Sequence, residues 1–311
     1  MRRITISACC FSLLVAVFLF CGQVSAYART VGILMTGDIP YYHQIHQVLL
    51  DEMSGYFTEQ NIEVVTQTPL PNPMSWTNAA RKLKALGSEV IVTYGLPATL
   101  ASMKEVGSKT PIIFAGVYSP QTMDIGGKNT TGISSTVSLR TVLRKLNSIK
   151  ELSSIGIVFN KTEKDSIIQA REVKKLEKVL NFKTVLLNIS NELEGDKIAG
   201  LDALIITSCS AGMCKPHLPT IVELARQSKV PTVALISGAE SMVVLTFAAA
   251  AQEQGLQAAG MLRKVLEGEN PDKIPVLNPE QVEFIVNLKE ARGMGIEIPA
   301  EVLDSATRVI E

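Results

Sequence analysis

Short, uninterrupted apolar runs alternate along the chain with longer segments whose apolar residues follow helical spacing. In the first part of the chain, the short runs predict strands at 31–35, 62–65, 90–95 and 111–117. The segments between them predict helices around 46–53 and at 75–86 and 97–106. Apolar strands without polar alternation are buried on both faces, so the pattern predicts a parallel sheet covered by helices on both sides.

The alternation starts again after a polar, glycine-bearing stretch at 129–134, which we interpret as a crossing between two lobes. The second series predicts helices at 138–152, 164–180 and 218–227, strands at 155–159, 185–187, 202–207 and 231–236, and then a long helix at 252–267. The predicted fold class is therefore α/β, with two doubly wound parallel-sheet lobes.

Three crossings are expected to join the lobes, near 118–122, 244–247 and 276–279. Lobe 1 then comprises 27–120 and 245–277, and lobe 2 comprises 121–244 and 278–311. The restart of the strand–helix pattern and the return of a long helix late in the chain are the reasons for this division.

The first residues have the three parts of a secretory signal peptide: Arg2 and Arg3, an apolar run at 4–20, and a small-residue exit at 24–26. We expect a signal peptide at 1–26, cleavage after Ala26 (with Ala28 as the alternative site) and a mature protein in the periplasm. An uncleaved anchor is the other interpretation. A lipoprotein modified at Cys21 is a further one, disfavoured because bulky Phe20 precedes that cysteine.

Charge and cysteine content narrow the possible partners. The whole chain has a formal net charge of +0, and loss of the two leader arginines leaves −2. Nucleic-acid binding needs a concentrated positive face, so it is not expected. The mature chain keeps Cys209 and Cys214, which could pair in an oxidising compartment or remain two free thiols.

Small and polar residues follow most of the predicted strands. In open α/β sheets ligands bind beyond the carboxyl ends of the strands, so six such ends in one cleft favour a binding site over ordinary caps and turns. Tyr41, Tyr94 and Tyr118 are expected to form apolar walls, and Ser119, Thr162 and Ser210 polar clamps. The full candidate set is Thr36, Tyr41, Tyr42, Tyr94, Gly95, Pro97, Tyr118, Ser119, Pro120, Asn160, Thr162, Ser208, Ser210, Ser237 and Glu240.

Motifs for catalysis are missing from the sequence. It contains neither a G-x-S-x-G elbow, nor a G-x-x-x-x-G-K-[ST] loop, nor a G-x-G-x-x-G turn. His43 and His46, at i and i+3, could hold a metal with help from elsewhere, but a solvated helix face is the favoured interpretation. We therefore expect no enzyme, no metal and no cofactor.

The last third of the chain resembles a known family. The segments are Gly255-Leu256-Gln257-Ala258-Ala259, Leu266 to Pro271, Val286-Asn287, Gly295 to Pro299, and Val302-Leu303 with Ala306. Their order is similar to that of ABC-transporter substrate-binding proteins, and segments 116–120 and 131–134 add to the resemblance. The resemblance implies a type I periplasmic binding fold with two lobes around a hinge, an amino-acid-like ligand and an ABC permease as partner.

One departure from the family pattern concerns the ligand. The family often has an Asp-Tyr pair shortly before the helix glycine, whereas this chain has Ala248 to Gln254 leading to Gly255. If that acid holds a ligand ammonium group, then Glu240, Asp38 or Asp124 could substitute for it.

The function expected from the sequence is capture of a small ligand by a monomer that feeds an ABC importer. A ligand-sensing module for a membrane receptor is the alternative on the same fold. A sugar ligand is less favoured because aromatic residues make up only 5% of the chain and sugar sites use stacking aromatics.

Overall fold

The computed structural model of the protein describes residues 29–189, 195–208 and 217–311. The leader, Ser210, Cys209 and Cys214 lie outside these described residues. The cleavage site, the disulfide and the role of Ser210 therefore stay predictions.

The first sheet has five parallel strands in the order β2-β1-β3-β4-β5. These are Arg29–Met35 (β1), Ile62–Gln67 (β2), Val90–Tyr94 (β3), Ile112–Val117 (β4) and Thr130–Ser134 (β5). Helices Pro40–Glu59 (α1), Pro73–Ala85 (α2) and Leu96–Val106 (α3) connect the first four strands. Each of these helices has a proline in its first turn, where the missing N–H costs nothing because that position has no helical acceptor.

The second sheet has seven strands in the order β12-β11-β10-β9-β8-β6-β7. They are Ser154–Phe159 (β6), Lys183–Asn188 (β7), Ala203–Ile206 (β8), Thr232–Ala234 (β9), Leu245–Ala249 (β10), Val282–Asn287 (β11) and Arg308–Ile310 (β12). All neighbours pair in parallel except β10 and β11.

The remaining helices lie between or after these strands. They are Leu139–Ile149 (α4), Lys164–Lys175 (α5), Glu177–Leu180 (α6), Gly195–Ile198 (α7), Leu218–Gln227 (α8), Ala251–Leu266 (α9), Leu288–Gly293 (α10) and Ala300–Leu303 (α11). Helix α9 follows a strand of the second sheet but packs against α1, with Ala258 and Leu262 in the same core as Leu49 and Met53. The chain therefore returns to the first lobe through α9.

Two segments belong to a different sheet from the one that the sequence pattern predicts. Residues 129–134, predicted as a crossing, contain β5, which pairs with β4 in the first sheet. Its polar side chains are compatible with a buried strand because they are hydrogen-bonded; the Thr131 hydroxyl, for example, donates to the Ile274 carbonyl at 2.8 Å. Residues 245–249, predicted in lobe 1, form β10 of the second sheet.

Sheet membership places the connections between the two sheets at residues 135–138, at Ala250 and at residues 278–281. The first lies about fifteen residues later than the predicted crossing at 118–122, because the polar segment 130–134 was not recognised as a further strand of the first sheet. Among the described residues, none of the helices has the length and apolar character needed to cross a membrane.

Candidate ligand-binding site

A small cavity lies between the lobes at the carboxyl ends of the strands. Its volume is about 10 Å³, the room that a single water molecule needs. The first lobe contributes Tyr41 and Tyr42 from α1, Gly116 from β4, and Tyr118 and Ser135. The second lobe contributes Asp165 from α5, Ser208, Leu235, Ile236, Ala248 and Ala249.

Asp165 is the ionisable group of the second lobe that lines this cavity. It is the second residue of α5, is only 5% exposed, and accepts a hydrogen bond from the Ser166 backbone N–H at 3.0 Å. No Lys, Arg or His of the described chain forms an ion pair with its carboxylate. Burial, followed by the nearby charge of Glu163, raises the pKa of Asp165 to about 7. The site therefore contains a carboxyl group whose charged form has no counter-ion among the described residues.

Tyr41 brings an unused hydroxyl to the same cavity. The residue is 3% exposed, and among the described residues its hydroxyl has no hydrogen-bond partner. Burial, with smaller effects of Glu283 and Glu253, raises the pKa of Tyr41, so the hydroxyl keeps its proton at neutral pH. A buried polar group without a partner is uncommon in folded proteins, so this hydroxyl is available to a group outside the described residues.

Tyr42 forms the floor of the cavity over a glycine. A Cβ atom at Gly116 would lie 2.8 Å from the Tyr42 ring, and the backbone there has a φ of +70°. Both facts favour glycine at this strand end. Burial, followed by the charge of Asp165, raises the pKa of the Tyr42 hydroxyl well above its ordinary value.

Tyr118 connects the two lobes directly. Its hydroxyl donates to the Glu172 carboxylate of α5 at 2.5 Å. Burial, followed by this hydrogen bond, raises the pKa of Tyr118 above its ordinary value. The bond joins a residue that lines the small cavity to α5 of the second lobe.

A larger cavity of about 310 Å³ opens between the lobes beside α3. Its walls are mostly apolar in the first lobe, with Trp76, Leu96 and Leu100, and polar in the second lobe, with Thr162. The Trp76 indole is fixed because its N–H donates to the Thr36 carbonyl at 2.6 Å. The volume lies at the lower end of the range for small-molecule pockets.

The structure gathers six of the predicted site residues around these cavities. Tyr41, Tyr42, Tyr118 and Ser208 line the small one, and Pro97 and Thr162 line the larger one. Ser208 also donates to the Leu235 carbonyl at 2.7 Å and accepts from the Gln169 amide at 3.0 Å. These bonds hold its hydroxyl in the second-lobe wall.

The other described candidates serve local structure and line neither cavity. The Thr36 hydroxyl donates to the Tyr94 carbonyl at 2.8 Å, and the Tyr94 hydroxyl lies 3.2 Å from His46 Nδ1 in the first-lobe core. The Asn160 side chain bonds Thr162 and Glu163 within its own turn. The remaining candidates also have local roles. Gly95 is the N-cap of α3, Pro120 begins a short 3₁₀ helix, and Ser119 forms hydrogen bonds with Thr136 and Thr122. The Ser237 hydroxyl lies 3.5 Å from the Glu283 carboxylate, and the Glu240 carboxylate accepts a hydrogen bond from the Gly238 N–H.

The acids named from sequence as possible partners of an ammonium group lie elsewhere. Asp38 is 83% exposed and pairs with His43 at 2.6 Å, and Asp124 is 87% exposed and pairs with Lys128 at 3.2 Å. The Glu240 carboxylate is used by the Gly238 backbone. Sequence reasoning missed Asp165, because the predicted loop stopped at Thr162, although the first turn of the following helix also faces the cleft.

Comparisons with known proteins agree with this architecture. The profile of the family described as ABC transporter substrate binding protein matches residues 43–310. A search of curated proteins gives no match.

Three solved structures are similar in fold. A domain from Streptococcus pneumoniae in complex with L-Trp has a TM-score of 0.82 and 19% identity over 91% of this chain and 100% of that chain. The ligand-free, open structure of a substrate-binding protein from Clostridium difficile has a TM-score of 0.69 and 19% identity over 91% and 99%. A solute-binding protein from Bacillus halodurans with bound myo-inositol has a TM-score of 0.59 and 11% identity over 88% and 99%.

Proposed function

The chain belongs to the ABC transporter substrate-binding protein family, and we propose that its ligand is an amino acid or a close relative with a free ammonium group. The type I periplasmic binding fold supplies two α/β lobes, and in this proposal the ligand is enclosed between them. Membership in the family means that the protein binds a small molecule and works with an ABC permease.

The observation that carries the proposal is the buried carboxyl of Asp165. An ionised carboxylate that is removed from water without a counter-charge is strongly disfavoured, and for this reason its pKa rises. A ligand ammonium group in the cavity supplies the missing charge and a donor for the carboxylate oxygens. A neutral sugar supplies only hydroxyl donors and leaves the charge uncompensated.

The Tyr41 hydroxyl supports a second polar contact with the same ligand. It lines the same cavity as Asp165 and has no partner among the described residues. As a neutral hydroxyl it donates a hydrogen bond to a ligand oxygen, such as that of a carboxylate. The two groups together fit the two polar ends of an amino acid.

Room for the ligand requires movement of the lobes. The small cavity holds only about 10 Å³, whereas small-molecule sites usually measure roughly 300–1,000 Å³. Separation of the lobes would break the Tyr118–Glu172 bond and join the small cavity to the apolar one beside Trp76. The ligand side chain would then occupy the apolar space near Leu96 and Leu100.

Ligand screening by thermal denaturation tests the proposal. A ligand at about 100 times its Kd stabilises the native state by roughly 2.7 kcal/mol, which is easily detected. The screen compares amino acids with matched acids that lack the amino group, and with myo-inositol and simple sugars. We expect stabilisation only by compounds with the ammonium group. Equal stabilisation by the deaminated acid, or stabilisation by a sugar alone, would contradict the proposal.

The proposal also covers the export of the protein and its oligomeric state. We propose that residues 1–26 are a cleaved signal peptide and that the mature protein acts as a monomer in the periplasm. The basic, apolar and small-residue parts of the leader support the first statement, and the family's work with a membrane permease is consistent with a place outside the cytoplasm.

A further inference from the structure

Two neighbouring buried polar side chains occupy the first turn of α9, where the chain returns from the second sheet to the first lobe. Glu253 is 7% exposed and Gln254 is fully buried. We call them the hinge dipeptide. Neither residue lines the cavities described above.

Gln254 ties the hinge dipeptide to the ends of two first-lobe strands. Its side-chain oxygen accepts from the Gly116 N–H of β4 at 2.9 Å, and its side-chain nitrogen donates to the Ser134 carbonyl of β5 at 2.9 Å. Ser134 is the last residue before the connection at 135–138. This amide group therefore holds the start of that connection, together with the bond from the Ser135 N–H to the Val117 carbonyl at 2.9 Å.

Glu253 ties the same turn to the third connection. Its two carboxylate oxygens accept from the backbone N–H groups of Glu280 and Gln281, each at 2.9 Å. The Gln281 carbonyl in turn accepts from the Ala250 N–H at 3.0 Å. Ala250 is itself the second connection, so all three connections between the sheets meet at this turn.

We infer that the hinge dipeptide is the positioning element that sets the pivot of lobe movement. When the lobes separate, the backbone must rotate within 135–138, at Ala250 and within 278–281. Leaving a buried polar group without a hydrogen bond costs free energy. The four hydrogen bonds of the Glu253 and Gln254 side chains are therefore kept during the movement, and the backbone rotation is confined to the residues around them. The inference concerns the motion itself and does not depend on the identity of the ligand.

Distances between spin labels on the two lobes test this inference with the protein alone. Labels are attached to cysteines introduced at exposed Lys82 in α2 and exposed Lys174 in α5, with Cys209 and Cys214 replaced by Ser. We expect one narrow distance distribution for the parent protein. Gln254→Met removes both amide bonds at nearly constant size, and we expect a distribution at least twice as broad. Glu253→Gln should give a smaller broadening.

Two control variants separate a hinge effect from lost stability. Gln252→Met changes an exposed neighbour in the same turn and should leave the distribution unchanged. Ser88→Ala removes a buried hydrogen bond to the Leu83 carbonyl inside the first lobe, so it should lower the melting temperature without broadening the distribution. An unchanged distribution in folded Gln254→Met and Glu253→Gln overturns the inference.

Hydrogen exchange of the unsubstituted protein covers the case in which the variants do not fold. Glu280 and Gln281 are exposed residues whose N–H groups have Glu253 as their acceptor. We expect these two amide hydrogens to exchange as slowly as those of the neighbouring strand β11. Exchange at the rate of an open loop would show that the bonds do not persist, and would contradict the inference.

Discussion

Asp165 and Asp38 carry the same carboxyl group in opposite surroundings. Asp38 is largely exposed and has His43 as its partner, whereas Asp165 is buried beside Glu163 and has no cation from the described chain. Burial therefore disfavours the charged form of Asp165, and in the proposed function a ligand ammonium group compensates that charge, whereas the Asp38 carboxylate is exposed to water. This difference leads to two predictions at the scale of single residues.

Asp165→Asn should weaken binding of the ligand that the screen identifies. The change keeps the size of the side chain but removes its charge, so a charge-assisted hydrogen bond worth about 1.5–3 kcal/mol is lost, or roughly 10- to 150-fold in Kd. Isothermal titration calorimetry measures the change. The ligand-free variant should be no less stable than the parent. Asp38→Asn is the matched control, and equal losses in both variants would rule out a special role for Asp165.

Ligand affinity should rise with pH. Because the pKa of Asp165 is raised from 3.8 to about 7, the folded protein holds a proton that the unfolded chain has already released above 3.8. Stability from this group is present at low pH and is lost as the pH rises from 3.8 to about 7. A ligand ammonium favours the ionised carboxylate, so binding near pH 7 should release part of a proton. Calorimetry in buffers of different ionisation enthalpy measures this release, which should vanish in Asp165→Asn.

At the scale of elements, the contact between α9 and α1 holds the returning helix on the first lobe. Gly255 permits it, because a Cβ atom there would lie 2.5 Å from Val48 Cβ and 2.8 Å from the Ile45 carbonyl. Gly260 on the same helix has nothing within 4 Å of such an atom. Gly255 and Gly260 lie on the same helix, but only an added Cβ atom at Gly255 would meet neighbouring atoms.

Substitution of these glycines by alanine should have opposite effects on stability. Gly255→Ala inserts a methyl group into a filled contact and should cost about 1–3 kcal/mol. Gly260→Ala improves helix propensity at an exposed position and should gain up to about 1 kcal/mol. Urea denaturation of both variants measures the free energies of unfolding. Destabilisation by both substitutions would mean that the close approach is not the cause.

At the scale of the whole molecule, each lobe is built on its own sheet. The lobes are held together by the three connections and by contacts across the cleft. The Tyr118–Glu172 hydrogen bond is one such contact, and it joins a strand end of the first lobe to α5 of the second. Because this bond exists only when the lobes are close, it stabilises the closed arrangement relative to an open one.

Tyr118→Phe should accelerate ligand release. The change removes the hydrogen bond but keeps the ring, so the closed arrangement loses about 1 kcal/mol, or roughly fivefold, mainly in the dissociation rate. Tyr118→Ala also removes contact area and should weaken binding by roughly 1–3 kcal/mol. Stopped-flow measurement of ligand dissociation gives both rates. A dissociation rate in Tyr118→Phe equal to that of the parent would show that the cross-lobe bond does not hold the cleft closed.

Export of the chain gives a second prediction at this scale. The protein recovered from the periplasm should begin at Tyr27, because Ala26 ends the small-residue pattern recognised on cleavage. Mass spectrometry of the intact exported protein measures this. A mass that includes Met1-Arg2-Arg3 would support the uncleaved anchor instead.

Much of the fold follows from local patterns in the sequence. The strand at 90–94 and the helix at 218–227 are predicted almost to the residue, because each is a continuous apolar run or an amphipathic segment with clear ends. Strand β5 was missed because Thr130, Thr131 and Ser134 are polar, and only their hydrogen bonds in the folded chain make them suitable for burial. The shifted crossing between the lobes follows from that one omission.

The sequence by itself determined the α/β class and the two lobes, because hydrophobic periodicity is a property of neighbouring residues. Strand direction also predicts the end of the sheets at which we expect a ligand to bind. Only the tertiary structure decided how the polar residues at that end are buried and paired. Thr36 and Asn160 are hydrogen-bonded by their own surroundings, whereas in the described part of the chain Asp165 has no cationic partner and the Tyr41 hydroxyl has no hydrogen-bond partner. Burial and pairing depend on segments far apart in the chain, and these come together only when the lobes pack.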